Sequence, residues 1–171
     1  MIPTICDRIA KGIGSRDSIG FRTLWTIEKY WPNQKRPYEV LMFPHNLALN
    51  EGLNLLFSLL CGGAGTAFNA ANANIGVGAS SAAAVATQTG LQDAVNQLYK
   101  GMEAGYPAYG TLQKVAFRSK FLAAEANFPW NEITVANGNS DAAVNINRKV
   151  QVMGTKVSPA VWYANLEIAG A

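Results

Sequence analysis

Charge is what this sequence has least of. Only 15% of its 171 residues are Asp, Glu, Lys or Arg, where an average soluble domain carries about a quarter. Hydrophobic residues make up 49% even before the 16 glycines are added. A chain of this length builds one domain with its own core, but so few charges leave it short of solvated groups to cover that core. Burial of part of the surface against other subunits answers the shortage, because interface cores are depleted of charge. A neutral surface answers it too, and 15 asparagines supply one. The composition favours an assembly component.

Histidine is nearly absent. His45 alone excludes a zinc site built on two or more histidines. A Cys–His nucleophilic pair would need it beside Cys6 or Cys61, with no local signature in support; between Pro44 and Asn46 it reads as a turn residue. For the two cysteines, two free thiols are the default and a disulfide stays open. No apolar run is long enough to span a bilayer: the longest, GLNLLFSLLCGG, is interrupted by Asn54 and Ser58. The start, MIPTICDRIAKGIG, sets Asp7 and Arg8 where a signal peptide needs an unbroken apolar run, so neither export nor a membrane partner is expected.

The net charge of +3 is too small to argue for nucleic acid, but it is unevenly placed. Residues 1–36 hold seven Lys/Arg against three Asp/Glu, and the remainder is close to neutral. The division expected is an extended basic arm, residues 1–20, on a single body, residues 21–171. Basic arms bind nucleic acid, yet this one interleaves Arg8, Lys11 and Arg16 with Ile5, Ile9, Ile13 and Ile19. That pattern suits packing on a protein neighbour, and these seven residues are candidate interface positions.

Periodicity then places the elements. FRTLWTIEKYW (21–31) and YEVLMF (38–43) read as strands. In LALNEGLNLLFSLLCGG, Leu49, Leu53, Leu56, Phe57 and Leu60 recur at helical spacing. Asn50 is a suitable N-cap, Glu51 suits the positive end of the dipole, and Gly62-Gly63 supply a stop. This helix, about 50–61, should pack its leucine face on a sheet. ANIGVG (73–78) reads as a short strand and ASSAAAV as a connector. Thr89 and Gln92 form a capping box, and Leu91, Val95, Leu98, Tyr99 and Met102 follow on one face, which predicts a second helix over about 90–102. After the turn YPAYG, strands are expected at 111–121, 131–137, 144–153 and 160–169. The third of these should turn Val144, Ile146, Val150 and Val152 inward. About seven strands with two inserted helices indicate a mainly β antiparallel sandwich or a jelly-roll-like barrel. Neither an internal repeat nor a dividing linker is present.

Catalytic chemistry finds little foothold. The strand–glycine–connector order around Gly76-Val77-Gly78 suggests a phosphate loop. However, the first following lysine is Lys100, and a dinucleotide fingerprint would need glycine where Ser81 stands. No acidic residue stands at the ribose position either, since Glu103 falls at the end of the predicted helix. A tight strand exit accounts for the glycines. No G-x-S-x-G elbow occurs, and Glu125 with Glu132 is a carboxylate pair that spacing alone does not bring together. In EANFPWNE, Phe128 and Trp130 flank Pro129. They either form an exposed platform, and so count among the candidate interface residues, or anchor the sandwich by packing, the commoner fate of large aromatics. No enzyme, cofactor or metal site is expected.

Four stretches carry a resemblance: HNLALNEGLNLLFSLLCGG, TAFNAANANIGVGASSAAAVATQTGLQ, EANFPWNEITVANG and NINRKVQVMGTK. In this order they are similar to virion structural proteins of tailed bacteriophages, over most of the chain from Phe21 onward. The resemblance implies location in a virus particle and partnership with the major capsid protein or another virion protein. The role it implies is either a head decoration (cement) protein or a tail, neck, baseplate or fibre-associated component. A homo-oligomer, by fold analogy a trimer, is expected with it.

Overall fold

The computed structural model describes residues 20–170. The segment expected to form the arm therefore lies outside the described residues, and with it Ile5, Arg8, Ile9, Lys11, Ile13, Arg16 and Ile19. Ten strands and one helix follow in order: β1 (Phe21–Tyr30), β2 (Glu39–Pro44), β3 (Leu47–Ala48), α1 (Asn50–Leu60), β4 (Asn74–Gly78), β5 (Gln97–Gly101), β6 (Ala108–Thr111), β7 (Lys114–Phe121), β8 (Pro129–Ala136), β9 (Asn147–Thr155) and β10 (Val161–Gly170). They form two five-stranded sheets, ordered β2-β1-β10-β7-β6 and β3-β9-β8-β4-β5. Every pairing is antiparallel. The fold is mainly β, and the sandwich expectation holds.

Alternation along the strands builds the core between the sheets. From the first sheet come Trp25, Ile27, Phe117, Phe121, Trp162 and Leu166; the second contributes Ile75, Val77, Trp130, Ile133, Val135 and Met153. Trp130 ties the layers together, its ring edge-on to Phe121 at 4.7 Å and to Trp162 at 4.9 Å. Such pairs add to area burial through ring quadrupoles. Its Nε1 donates to the Ala126 carbonyl at 3.0 Å, so the one polar atom of the ring is satisfied.

The second predicted helix is not formed. Residues 97–101 are instead strand β5, paired along its length with β4, and residues 90–96 are an irregular turn. The backbone donors around the expected helix start are taken by two distant carboxylates, Glu132 and Asp141, and one local one, Asp93. Leu91 N–H donates to Asp141, those of Gln92 and Asp93 to Glu132, and those of Val95 and Asn96 to Asp93. Side chains that satisfy local backbone groups outcompete helix formation.

Two further expectations need correction. The YPAYG turn and the start of the next expected strand become a hairpin, with β6 joined to β7 at Leu112-Gln113, both at positive φ. On β9, Val152 faces solvent and Met153 takes the buried place. The β8–β9 pairing slips between Trp130 and Glu132, and such an irregularity changes which face later residues present.

Candidate interaction surface

The glycines that suggest a phosphate loop have a different use. A Cβ on Gly76 would stand 2.7 Å from Tyr99 Cδ1 and 2.9 Å from Thr134 Cγ2, and one on Gly78 would stand 3.0 Å from Glu132 Cγ. Their smallness lets Tyr99 and the Glu132 carboxylate lie across β4. There they hold residues 79–96 against the sheet.

Glu132 and Arg148 are both fully buried and form the centre of this anchor. Arg148 Nε donates to Glu132 Oε2 at 2.8 Å; Nη2 stands 2.7 Å from the same oxygen but without hydrogen-bond geometry. Nη1 donates to Gln88 Oε1 at 2.9 Å. Glu132 also accepts the amides of Gln92 and Asp93 at 2.9 and 3.0 Å. Beside it, Tyr99 donates its hydroxyl proton to Asp141 at 2.5 Å, and Gln97 Nε2 reaches the other Asp141 oxygen at 2.7 Å. Burial, then the hydrogen bond to Asp141, raises the Tyr99 pKa far above that of a free phenol, so it stays a proton donor. These charges and dipoles are committed to backbone and to one another, which is the condition for burying them at all.

Lys156 is fully buried on the opposite strand end. Its ammonium donates to the Leu122 carbonyl at 2.7 Å and to Asn127 Oδ1 at 3.0 Å, closing the β7–β8 loop. Burial lowers its pKa, partly countered by the charge of Glu125. Glu125 itself pairs with Lys100 at 2.6 Å. The two carboxylates named from sequence, Glu125 and Glu132, thus belong to separate ion pairs.

Around this anchored region the surface is apolar. Residues 52–92 contain no Asp, Glu, Lys, Arg or His. At their start, α1 leaves the sandwich with Gly52 as its one buried residue. A Cβ on Gly52 would run into the backbone of Asn145 and Ile146, so glycine lets the first turn seat there. Leu49, not Asn50, occupies the N-cap, without a side-chain cap hydrogen bond; Glu51 accepts from the Asn145 amide at 2.8 Å. The glycine stop is formed: Gly62 lies at positive φ, and the Gly63 amide donates to Ser58 at 2.7 Å. The leucine face, however, does not lie on a sheet. Leu56, Phe57 and Leu60 are exposed, Leu60 by 78%. Val85 and Val95 add further exposed apolar side chains.

The outer face of the first sheet is of another kind. Tyr30, Trp31, Lys35, Arg118, Lys120 and Tyr163 line a shallow cleft of about 390 Å³. Arg118 bonds Glu28 at 3.1 Å, Glu103 at 3.2 Å and Asn165 at 2.7 Å, and lies 4.5 Å over the Tyr163 ring. Burial pushes Glu28 up, but the Arg118 guanidinium together with hydrogen bonds from Tyr30 and Asn165 more than offsets it and holds the carboxyl below its usual range. Among the described residues Lys35 and Lys120 make no ion pair.

Of the remaining sequence candidates, Trp130 is a core residue with no exposed surface and Phe128 is half-buried against the core. Packing, not a platform, is their place here. His45 is an exposed residue at positive φ, and Cys61 is exposed at the end of α1. Among the described residues no three His, Cys, Asp or Glu side chains cluster as a metal site, and no helix is long and apolar enough to cross a membrane. The Glu132–Arg148 anchor is what sequence reading missed; its only local signal is Asp93-x-Val95-Asn96, a turn pattern inside an apparent helix. Compared with family models, curated proteins and solved structures, the chain matches none.

Proposed function

We propose that this chain is a non-enzymatic structural protein of a bacteriophage virion, a decoration (cement) protein that binds the head surface and stabilises the shell through protein–protein contacts. One observation carries the assembly role: an apolar helix, whose single charged residue, Glu51, is tied back to the Asn145 amide, stands outward from a sandwich whose own core is already closed. Exposed apolar patches of this kind mark surfaces that a partner covers. The particle is inferred from the resemblance of the four stretches to virion proteins of tailed phages. The partners are the major capsid protein and further copies of the chain, with no cofactor.

A tail-associated role in host attachment is the second reading, and the aromatic and cationic cleft on the first sheet favours it. Lys35 and Lys120 offer charge to an anionic surface group, beside the rings of Tyr30, Trp31 and Tyr163. Immunogold labelling of intact particles, with antibody raised against the folded body, separates the two. Gold over heads is the expected result. Gold at the tail or neck would replace it with the second reading, and unlabelled particles would overturn both.

A further inference from the structure

We infer that the outward face of α1 docks on the same face of a second copy of this chain. The helix has two apolar sides with different uses. Gly52, Leu55 and Leu59 fall along one side; Gly52 meets the backbone of residues 145–146, and Gly65 packs so closely that a Cβ there would strike Leu55. Leu53, Leu56, Phe57 and Leu60, at i, i+3, i+4 and i+7, form a second stripe. Leu53 is half-buried, while Leu56, Phe57 and Leu60 are exposed, so nothing among the described residues covers the outer part of that stripe. A helix apolar on nearly all sides belongs in an interior.

Charge selects the occupant. With no ionisable side chain other than Cys61 across residues 52–92, the surface offers no code for a partner of opposite charge and no cation for a phosphate. Two copies meeting through this face bring no like charges together, which is the condition a self-complementary contact around a symmetry axis must meet. The size is adequate. A stable interface engages about 20–30 residues per side, and α1 beyond its first turn with the largely exposed run that follows it, residues 53–71, approaches that size. Phe57 supplies the central aromatic anchor that such contacts use.

The inference rests on reading α1 as a surface that is covered in the assembly, but it needs no particle for its test. Purified full chain is measured by sedimentation equilibrium across a concentration series, beside Phe57→Asp/Leu60→Asp and the milder Leu60→Lys. The wild type is expected to give a multiple of the single-chain mass. The double variant should associate about 30-fold more weakly or less, a typical loss at an interface anchor, with unchanged circular dichroism because both side chains are already exposed. Cys61 gives a local readout. In a Cys6→Ser background, maleimide should label it more slowly in the wild-type assembly than in the double variant.

A wild type that stays single at every concentration would overturn the inference, as would variants that keep full association. If removal of residues 1–19 converts a single chain into an oligomer, the occupant is the chain's own N-terminal segment and the inference fails. Self-association without labelling of particles would sink the virion reading alone. A chain that stays single yet labels heads would sink this inference alone and make the capsid protein the occupant.

Discussion

Residues 52–92 and residues 97–170 meet the same problem, apolar surface in water, by opposite means. The later segment closes its apolar groups between two sheets and covers the outside with paired charges. Glu103–Arg118, Lys100–Glu125 and Lys114–Glu167 lie on its surface, and Arg148–Glu132 is buried within it. The earlier segment has no charges to pair and is tied down at few places: by Gly52 at one end, by β4 in the middle, and by Glu132 and Asp141 at the other. The body has what it needs to fold, whereas the lobe carries more apolar surface than its own contacts use. Under the proposed function, that difference assigns assembly to the lobe and stability to the body.

The sharpest way to break the comparison is to attack the anchor that joins the two. Arg148→Met leaves the Glu132 carboxylate buried without its cation, and removing one partner of a buried pair costs about 3–5 kcal/mol. Urea unfolding should show this as a lowered midpoint with little change in slope. Adding Glu132→Gln in the same chain removes the stranded charge while keeping an acceptor for the Gln92 and Asp93 amides, so part of the loss should return. A midpoint unchanged by Arg148→Met would show that the connector is held by something other than this pair.

A matched pair of leucines tests the division itself. Leu166 is fully buried on β10, and Leu60 is largely exposed on α1. Leu166→Ala should cost about 2–5 kcal/mol through lost transfer energy and the cavity left behind. Leu60→Ala should stay within about 0.5 kcal/mol under conditions where the chain is single. Calorimetry at low protein concentration checks both. Equal losses would mean that α1 belongs to the folding core after all, and the contrast drawn between lobe and body would fall.

Residue by residue, the body was more legible than the lobe, and the reason is the range of the interactions. Strand alternation around Trp25, Phe117 and Trp162 is local, and so is the helical spacing from Leu49 to Leu60 with its glycine stop. The direction in which α1 faces depends on Gly52 meeting Ile146, far along the chain, and spacing carries no record of that. The helix expected over 90–102 fails for the same reason. Leu91, Val95, Leu98, Tyr99 and Met102 do keep helical spacing, but Glu132 and Asp141, some 40 residues distant by sequence, take the backbone donors. Gly76 and Gly78 were visible as permissive positions, yet the groups that need their space, Tyr99 and Glu132, are cross-strand neighbours. Only pairing brings these together.

Acid should distinguish the regions last and least. Glu28 titrates below its ordinary 4.5 in the folded chain, because burial is outweighed by Arg118 with help from the Tyr30 and Asn165 hydrogen bonds. The unfolded chain therefore takes up the proton first as pH falls, so this group's stabilisation is present above about pH 4.5 and is lost as pH drops through the lower folded value. Both side chains are about one-fifth exposed, and water screens the pair, so the effect should be at the level of about 0.2–1 kcal/mol. Urea midpoints followed from about pH 6 to pH 3 should fall more steeply for the wild type than for Arg118→Met, in which the main influence lowering the Glu28 pKa is gone. The docking stripe of α1, Leu53 to Leu60, has no carboxylate to protonate, and Glu51 in the first turn is directed to the Asn145 amide of the body, so over the part of that range where the body stays folded the strength of association should not change. An association that weakened in parallel with the urea midpoint would place an ionisable group in the contact, and the surface holding the copies together would then have to be sought on the charged body.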